Sequence, residues 1–338
     1  MTAIADVTST PFNVNDCASS LVTSTASTIA TYGGDVVQTS SLCYIPTLDE
    51  IWIVMVDTDE FFEDSINYIV RYAPTGAVIG TIVLPVSSAH AALNAPLGYD
   101  PVGNLVWVLA QGRLYKVNVP TATYLAETDT TGYVSLWVSP YTGYVYSFTN
   151  DSPTYTLKRI NPDTGALISS YVLGQYIYDV TFDDNNNAWS TSSTTKNLIQ
   201  INLTTAAVTS HAITAAANSL YFATFDVDRD SLWIKDGAGT GEVIEVDATA
   251  FTITQTLSVF SVSSVGIGAK PVYYSSVDAP AVKLTVLSNI TTDKVYVVCT
   301  DTGLSAMSVD VTNPDHCVLD GTAVYTSSSG TLKKITLF

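Results

Sequence analysis

The sequence predicts an all-β chain assembled from one repeated group of antiparallel strands. Three observations carry this. A short apolar strand, a turn rich in Asp, Asn, Pro and Gly, and a second strand centred on an aromatic recur seven times along the 338 residues. Each second strand is followed by a third, often ending in Asn or Asp, and several of these by a turn and a fourth strand. No span carries the apolar period of a helix long enough to join parallel strands, which disfavours an α/β sheet. Four-stranded units repeating about every 40 residues are the signature of a β-propeller, in which each sheet needs its neighbours to bury its faces.

The second strands are EIWIVMV around Trp52, NLVWVLA around Trp107, GYVYSFT around Tyr146, NAWST around Trp189, SLWIKD around Trp233, KVYVVCT around Tyr296 and AVYTSS around Tyr325. A large aromatic at this position fills the wedge between neighbouring sheets. The third strands alternate, as LYKVN and VIEVD show, and period two marks a strand with one packed face. APTGAVIGTIVL, NPDTGALISSYVL, NLTTAAVTSHAI and DATAFTITQTL are four versions of the turn and fourth strand that follow. Pro fixes φ and Gly accepts positive φ in such turns.

Phe338 comes directly after the seventh third strand, so the last group lacks an outer strand. The expected fold is therefore a propeller of seven blades of mostly four antiparallel strands, with an N-terminal strand from residues 5–15 closing the last blade. Residues 1–41 supply that closing strand and a Ser/Thr/Ala-rich rim linker (19–41), with one further strand at 35–38. Residues 42–338 form the propeller, a single domain together with the N-terminal strand. The sixth group is irregular: TNPD alone separates its third strand from HCVLD, and an insertion occupies 260–280. It has either three strands or a shifted frame that starts at PVYYS.

Composition narrows the function. Lys and Arg number 13 against 31 Asp and Glu, a formal net charge of -18, yet 47% of residues are hydrophobic and 13% charged. That is too apolar for acidic disorder. Duplex nucleic acid needs clustered Lys and Arg that this chain lacks. No apolar run reaches the 18 or more residues of a membrane span. The N-terminus has neither the basic nor the apolar region of a signal peptide. The four Cys show no C-x-x-C spacing, which leaves zinc and thioredoxin-like readings without support.

The run from Leu42 to Phe338 resembles the irregular propellers called YVTN/NHL-like or SMP-30-like. FDDNNNAW (182–189) and FDVDRDSLW (225–233), with the closers KRINPDTGAL and QINLTTAAV, carry the likeness. WD-repeat and kelch signatures are absent. The resemblance implies a fold shared by lactonases, gluconate-forming hydrolases, quinoproteins and binding scaffolds, and a fold does not choose among these. The lactonase-type members hold a divalent ion with Glu, Asn and Asp of the inner strands. The inner strands read here, LCYI, LGYD, LWVS, VTFD, FATF, LTVL and CVLD, contain no Glu.

Candidate sites lie elsewhere. The blade-one hairpin DTDEFFEDS sets acids, among them Asp57 and Asp59, around Phe61 and Phe62, a recognition-loop composition. Tyr141, with Tyr144 and Tyr155, offers a platform for a sugar or a protein. Asp226, Asp228 and Asp230 form a D-x-D-x-D ladder with oxygens at alternate positions, as Ca²⁺ requires, although Asp also builds ion-free Asx-turns. No G-x-S-x-G occurs, and His90, His211 and His316 assemble no triad in sequence. No catalytic residue and no cofactor are expected, with Ca²⁺ at the ladder as the alternative.

The expected function is a non-enzymatic structural or surface-binding protein of a bacteriophage virion, a capsid or tail decoration or host-attachment scaffold. The Thr/Ser/Tyr/Val-rich, Lys-poor composition motivates it. A cellular carbohydrate- or protein-binding propeller and a metal-dependent lactonase-type hydrolase are the alternatives. The partners expected are other virion proteins, or a host surface receptor or glycan, without duplex nucleic acid or membrane insertion. The expected location is the virion, with the cytoplasm as the alternative.

Overall fold

The structure, a computed structural model, describes residues 22–336 apart from 26, 32–36, 58–65, 86–95, 111–112, 130–132, 162–165, 193–194, 215, 217–219, 227–228, 237–240, 263–271, 275–281, 290–293, 300–303, 311–313, 320–322 and 329–330. The described elements are all strands. β1 (Val22–Thr25) and β2 (Ser27–Thr31) come first. The first sheet is β3 (Val37–Ile45), β4 (Glu50–Asp57), β5 (Ile66–Tyr72) and β6 (Val78–Val83). The second is β7 (Leu97–Asp100), β8 (Leu105–Ala110), β9 (Arg113–Asn118) and β10 (Thr123–Asp129). The third is β11 (Tyr133–Val138), β12 (Val145–Thr149), β13 (Thr156–Ile160) and β14 (Leu167–Val172). The fourth is β15 (Ile177–Phe182), β16 (Asn187–Ser192), β17 (Asn197–Asn202) and β18 (Val208–Ala212). The fifth is β19 (Leu220–Asp226), β20 (Ser231–Asp236), β21 (Gly241–Asp247) and β22 (Ile253–Val262). The sixth holds β23 (Val272–Tyr274), β24 (Val282–Asn289), β25 (Lys294–Cys299) and β26 (Leu304–Asp310), and the seventh β27 (Pro314–Leu319), β28 (Ala323–Ser328) and β29 (Thr331–Thr336).

The last two sheets correct the expected fold. Among the described residues hydrogen bonding ends at the edge of each sheet and no sheet is closed by hydrogen bonds, so the structure does not show the closed seven-bladed ring sealed by a strand from 5–15. That segment lies outside the described residues. The N-terminal strands that do meet these sheets come from the stretch read as a rim linker. β1 pairs in parallel with β26, Val22 opposite Met307, and β2 pairs antiparallel with β29, Ser27 opposite Lys334. The reason is that, among the described residues, no later strand of the chain pairs with the outer edge of β26 or β29. Each therefore presents a row of unpaired backbone groups, and the uncharged strands VTST and STIAT take them up. The sixth sheet thus has five strands, with β23 added on the far side of β24.

The first strands lie inward and pack on one another: β3 on β7, β7 on β11, β15 on β19, β24 on β27 and β27 on β3. Between them the core forms as separate wedges. Trp52 is buried between the first and second sheets with Val54, Val106, Val108 and Tyr115. Trp107 is buried between the second and third, and Tyr146 and Phe148 between the third and fourth. Trp189 is buried between the fourth and fifth, and Tyr325 between the seventh and first. The second strands of the second, third and fourth sheets are covered on both faces, so LVWVLA, VYSFT and NAWSTS are buried along their whole length. The outer strands are covered on one side only, and β6 and β14 are mostly exposed.

Candidate functional site

The turns explain much of the polar sequence. The residue ending the third strand caps the next turn: Asn118 Oδ1 accepts Thr121 N–H at 2.9 Å, Asn202 Oδ1 accepts Thr205 N–H at 2.8 Å, and Asp247 Oδ1 accepts Thr249 N–H at 2.8 Å. The turn from first to second strand needs positive φ, and Asp49, Asn104, Gly143, Asn186 and Asp230 hold that position in five sheets. Asp230 of the acidic ladder is therefore a turn former. Its φ is 48°, it is exposed, and its Oδ2 accepts Thr249 Oγ1–H at 3.2 Å. Asp226 ends β19, and Asp228 lies outside the described residues. Among the described residues no group of three or more His, Cys, Asp or Glu could hold a metal ion.

Asp57 ends β4, while Asp59, Phe61 and Phe62 lie outside the described residues, as does His90. Tyr141 stands in the turn after β11, 41% exposed, its N–H donating to Ser139 Oγ at 3.4 Å. The other two tyrosines of the expected platform pack inward. Tyr155 stacks on Phe148 with centroids 6.2 Å apart, and the Arg159 guanidinium lies 5.0 Å from the Tyr144 ring centroid. His211, on β18, stacks on Phe251 at 3.6 Å, and burial lowers its pKa.

Two features were not foreseen. The first is Asp179 on β15. The inner strand was read as starting at Val180, one residue too late to include it. Asp179 is half-buried at the inner edge of the fourth sheet. Trp137 Nε1–H of the third sheet donates to its Oδ1 at 2.7 Å, and Val180 N–H donates to the same oxygen at 2.9 Å. Burial dominates over these bonds and pushes its pKa up to about 6. A carboxyl held this way exchanges a proton in mildly acid solution and otherwise ties two sheets together at their inner edges.

The second is the outer rim of the first three sheets. In each, the outer strand carries a β-bulge against the third strand. The register skips at Ile79 in β6, at Leu125 in β10 and at Ile168 in β14. A bulge leaves one residue without an opposite partner in the ladder. These three are exposed by 46%, 49% and 38%. Val78, Val83, Leu167 and Val172 on the same strands are more exposed still. The fifth sheet has the same bulge, but there the residue is Thr254, whose Oγ1–H donates to Glu245 Oε2 at 2.9 Å. The pairing of β17 with β18 in the fourth sheet runs without a skip. Three consecutive sheets thus place a branched aliphatic side chain in water at one equivalent position.

No protein-family model and no curated protein sequence matches the chain. Solved structures do. Virginiamycin B lyase from Staphylococcus aureus is similar at 14% identity and a TM-score of 0.67, over 91% of this chain and 98% of that one. The WD40 repeats of RRP9 align at 10% identity and a TM-score of 0.68, over 93% and 100%. Kuenenia stuttgartiensis hydrazine synthase aligns at 12% identity and a TM-score of 0.67, over 90% and 97%. At such identities the likeness is one of fold: four-stranded antiparallel sheets arranged loosely as in WD40 and other propeller-type proteins. Among the described residues no helix is long and apolar enough to cross a membrane.

Proposed function

We propose that the protein is a protein-binding scaffold whose docking surface is the outer rim of its first three sheets. The observation that carries this is the repetition of Ile79, Leu125 and Ile168 at one bulged position, each exposed. Single exposed aliphatics are ordinary on a protein surface, whereas these recur at one register position in three consecutive sheets. The fold suits the role, because rigid inner and middle strands hold the outer strands in place. Within propeller-type folds we place the chain nearest the YVTN/NHL-like or SMP-30-like group, on the turn and strand pieces at 182–189 and 225–233. The reading assigns the rim no catalytic role. It calls for a partner surface and not for a particular address, so the virion location suggested by composition is not part of it.

The test is a triple substitution, Ile79→Ser, Leu125→Ser and Ile168→Ser. Wild type and variant are each crosslinked under native conditions and their bound proteins compared. The variant should lose a partner that wild type holds, with its melting temperature within a few degrees of wild type. An unchanged set of partners would contradict the proposal.

A further inference from the structure

We propose that His211 and Phe251 form an acid-sensitive latch between the fourth and fifth sheets, closed while the imidazole is neutral and released when it takes up a proton. The rim has no part in it.

Backbone strain marks the contact. In the turn from third to fourth strand one residue takes positive φ: Gly76 at 87°, Ala122 at 49°, Ala206 at 61° and Phe251 at 56°, in the first, second, fourth and fifth sheets. The other three are Gly or Ala. A bulky side chain is uncommon in this region and raises the energy of the turn, so it persists where its surroundings hold it. The neighbouring sheet holds Phe251. Its ring stacks on that of His211 with centroids 3.6 Å apart and planes at 11°, and lies 6.4 Å from the Trp189 ring.

The surroundings of His211 leave a charge on it unanswered. β18 sets His211 opposite Leu198, with the Trp189 ring 6.5 Å away. Its Nε2 faces Gln200 Oε1 at 3.2 Å; that oxygen accepts, so the neutral ring keeps its proton on Nε2 and a second proton enters at Nδ1. β16, β17 and β18 read NAWSTS, NLIQIN and VTSHA and carry no acid. Lys196, just before β17, is itself a cation, its ammonium donating to Ala216 O at 2.5 Å. On the fifth sheet Leu232, Ile234, Val246 and Ala248 pack toward Trp189. Glu245 and Asp247 alternate with them and belong to the other face, while Asp236 shares their face at the end of β20 away from the turn. Asp247 Oδ1 and Asp230 Oδ2 hold Thr249 of the turn itself. Burial prevails over these charges and keeps the titration of His211 below its ordinary value. The folded state therefore binds this proton less tightly than the unfolded state. The latch is at full strength above about pH 6.5 and fails as pH falls through the lower folded value. Opening frees Phe251 from the contact that holds it and lets water reach the imidazolium.

The experiment follows the imidazole resonances of the full chain by NMR, and its amide exchange as protection factors, which remove the intrinsic effect of pH. The His211 signal is the one missing from His211→Gln. It should titrate below its ordinary value, and Phe251→Ala, which puts at this position the residue two other sheets already have, should bring it back up. The Phe251 amide donates to Asp247 O at 2.9 Å. Its protection should fall by about threefold or more between about pH 7.5 and about pH 5. The Ala206 amide, in the same turn of the fourth sheet, donates to Asn202 O at 2.9 Å and should not change. His211→Gln stays neutral and should abolish the loss at Phe251. Circular dichroism melts check that both variants fold, and His211→Asn replaces His211→Gln if the latter does not. A His211 that titrates above its ordinary value would mean that cation–π attraction to Phe251 and Trp189 outweighs burial, and would overturn the latch. A loss that persists in His211→Gln would assign it to Asp247 or Asp230 and overturn it too. Equal protection at both pH values would show that the turn does not open.

Discussion

The third and fourth sheets are neighbours with one strand plan and opposite rims. Both have fully buried second strands, and they share a wedge in which Tyr146, Phe148 and Tyr171 meet Phe182, Ile199 and Ile201. At the inner edge Trp137 of one binds Asp179 of the other. At the outer edge they part. β14 bulges and exposes Leu167, Ile168 and Val172, whereas β18 pairs without a skip and reads VTSHA, with His211 stacked on Phe251 and facing Gln200 Oε1 at 3.2 Å. The inner and middle strands are bound by packing on two sides, so the sequence there answers to the fold. An outer strand is packed on one side only and is free to carry something else.

The largest effect should come from the shared logic of the wedges. Trp189→Ala should cost about 3–5 kcal/mol in denaturant unfolding, the usual range for a buried large aromatic. Trp189 is 2% exposed and packs among Leu198, Leu220 and Phe225. A loss below about 1 kcal/mol would mean that the wedge between the fourth and fifth sheets adds little.

Asp179 tests the inner edge. Burial raises its folded pKa to about 6, above the ordinary carboxylate range, so the folded state binds its proton more tightly than the unfolded state. The contribution is therefore full below about pH 4 and lost as pH rises through 6. Asp179→Asn stays neutral throughout and keeps an oxygen for Trp137. It should raise stability at pH 7 by about 1–3 kcal/mol and leave it nearly unchanged near pH 4. A variant less stable than wild type at pH 7 would show that the ionised carboxylate strengthens the tie between the sheets.

The polar partners of the core tryptophans offer a smaller contrast. Trp189 Nε1–H donates to Asp183 Oδ2 at 2.8 Å, while Trp233 Nε1 has no hydrogen-bond acceptor among the described residues. Trp189→Phe should therefore cost about 1–2 kcal/mol more than Trp233→Phe, since only the first strips a bond from a buried carboxylate. Equal losses would show that ring volume alone matters.

Much of the architecture was legible because packing on two sides writes itself into sequence. The aromatics Trp52, Trp107, Tyr146 and Trp189 stood out as wedge residues for that reason. The N-terminal strands were missed because VTST and STIAT carry almost no apolar alternation: their role is to satisfy backbone edges, which needs no particular side chain. The acidic ladder was open to two readings, an ion site or an ion-free turn, because a left-handed turn and an oxygen ligand favour the same residue, as at Asp230. Asp179 was missed through a boundary one residue short. The rim was hidden for a deeper reason. A bulge belongs to the register between two strands, so Ile79 and Ile168 read in sequence as ordinary strand residues.

The smallest effect on stability should come from the rim. Ile168→Asp removes no core contact and should change unfolding free energy by no more than about 0.5 kcal/mol. A loss of several kcal/mol would show that Ile168 packs within the molecule.

The most direct measurement is hydroxyl-radical labelling of the chain, free and in the complex recovered under native conditions. Ile79, Leu125 and Ile168 should label readily in the free chain and be protected together in the complex, with Val102 and Tyr141 unchanged. Rim residues that label equally in both states, or protection confined to Val102 and Tyr141, would contradict the rim as the docking surface.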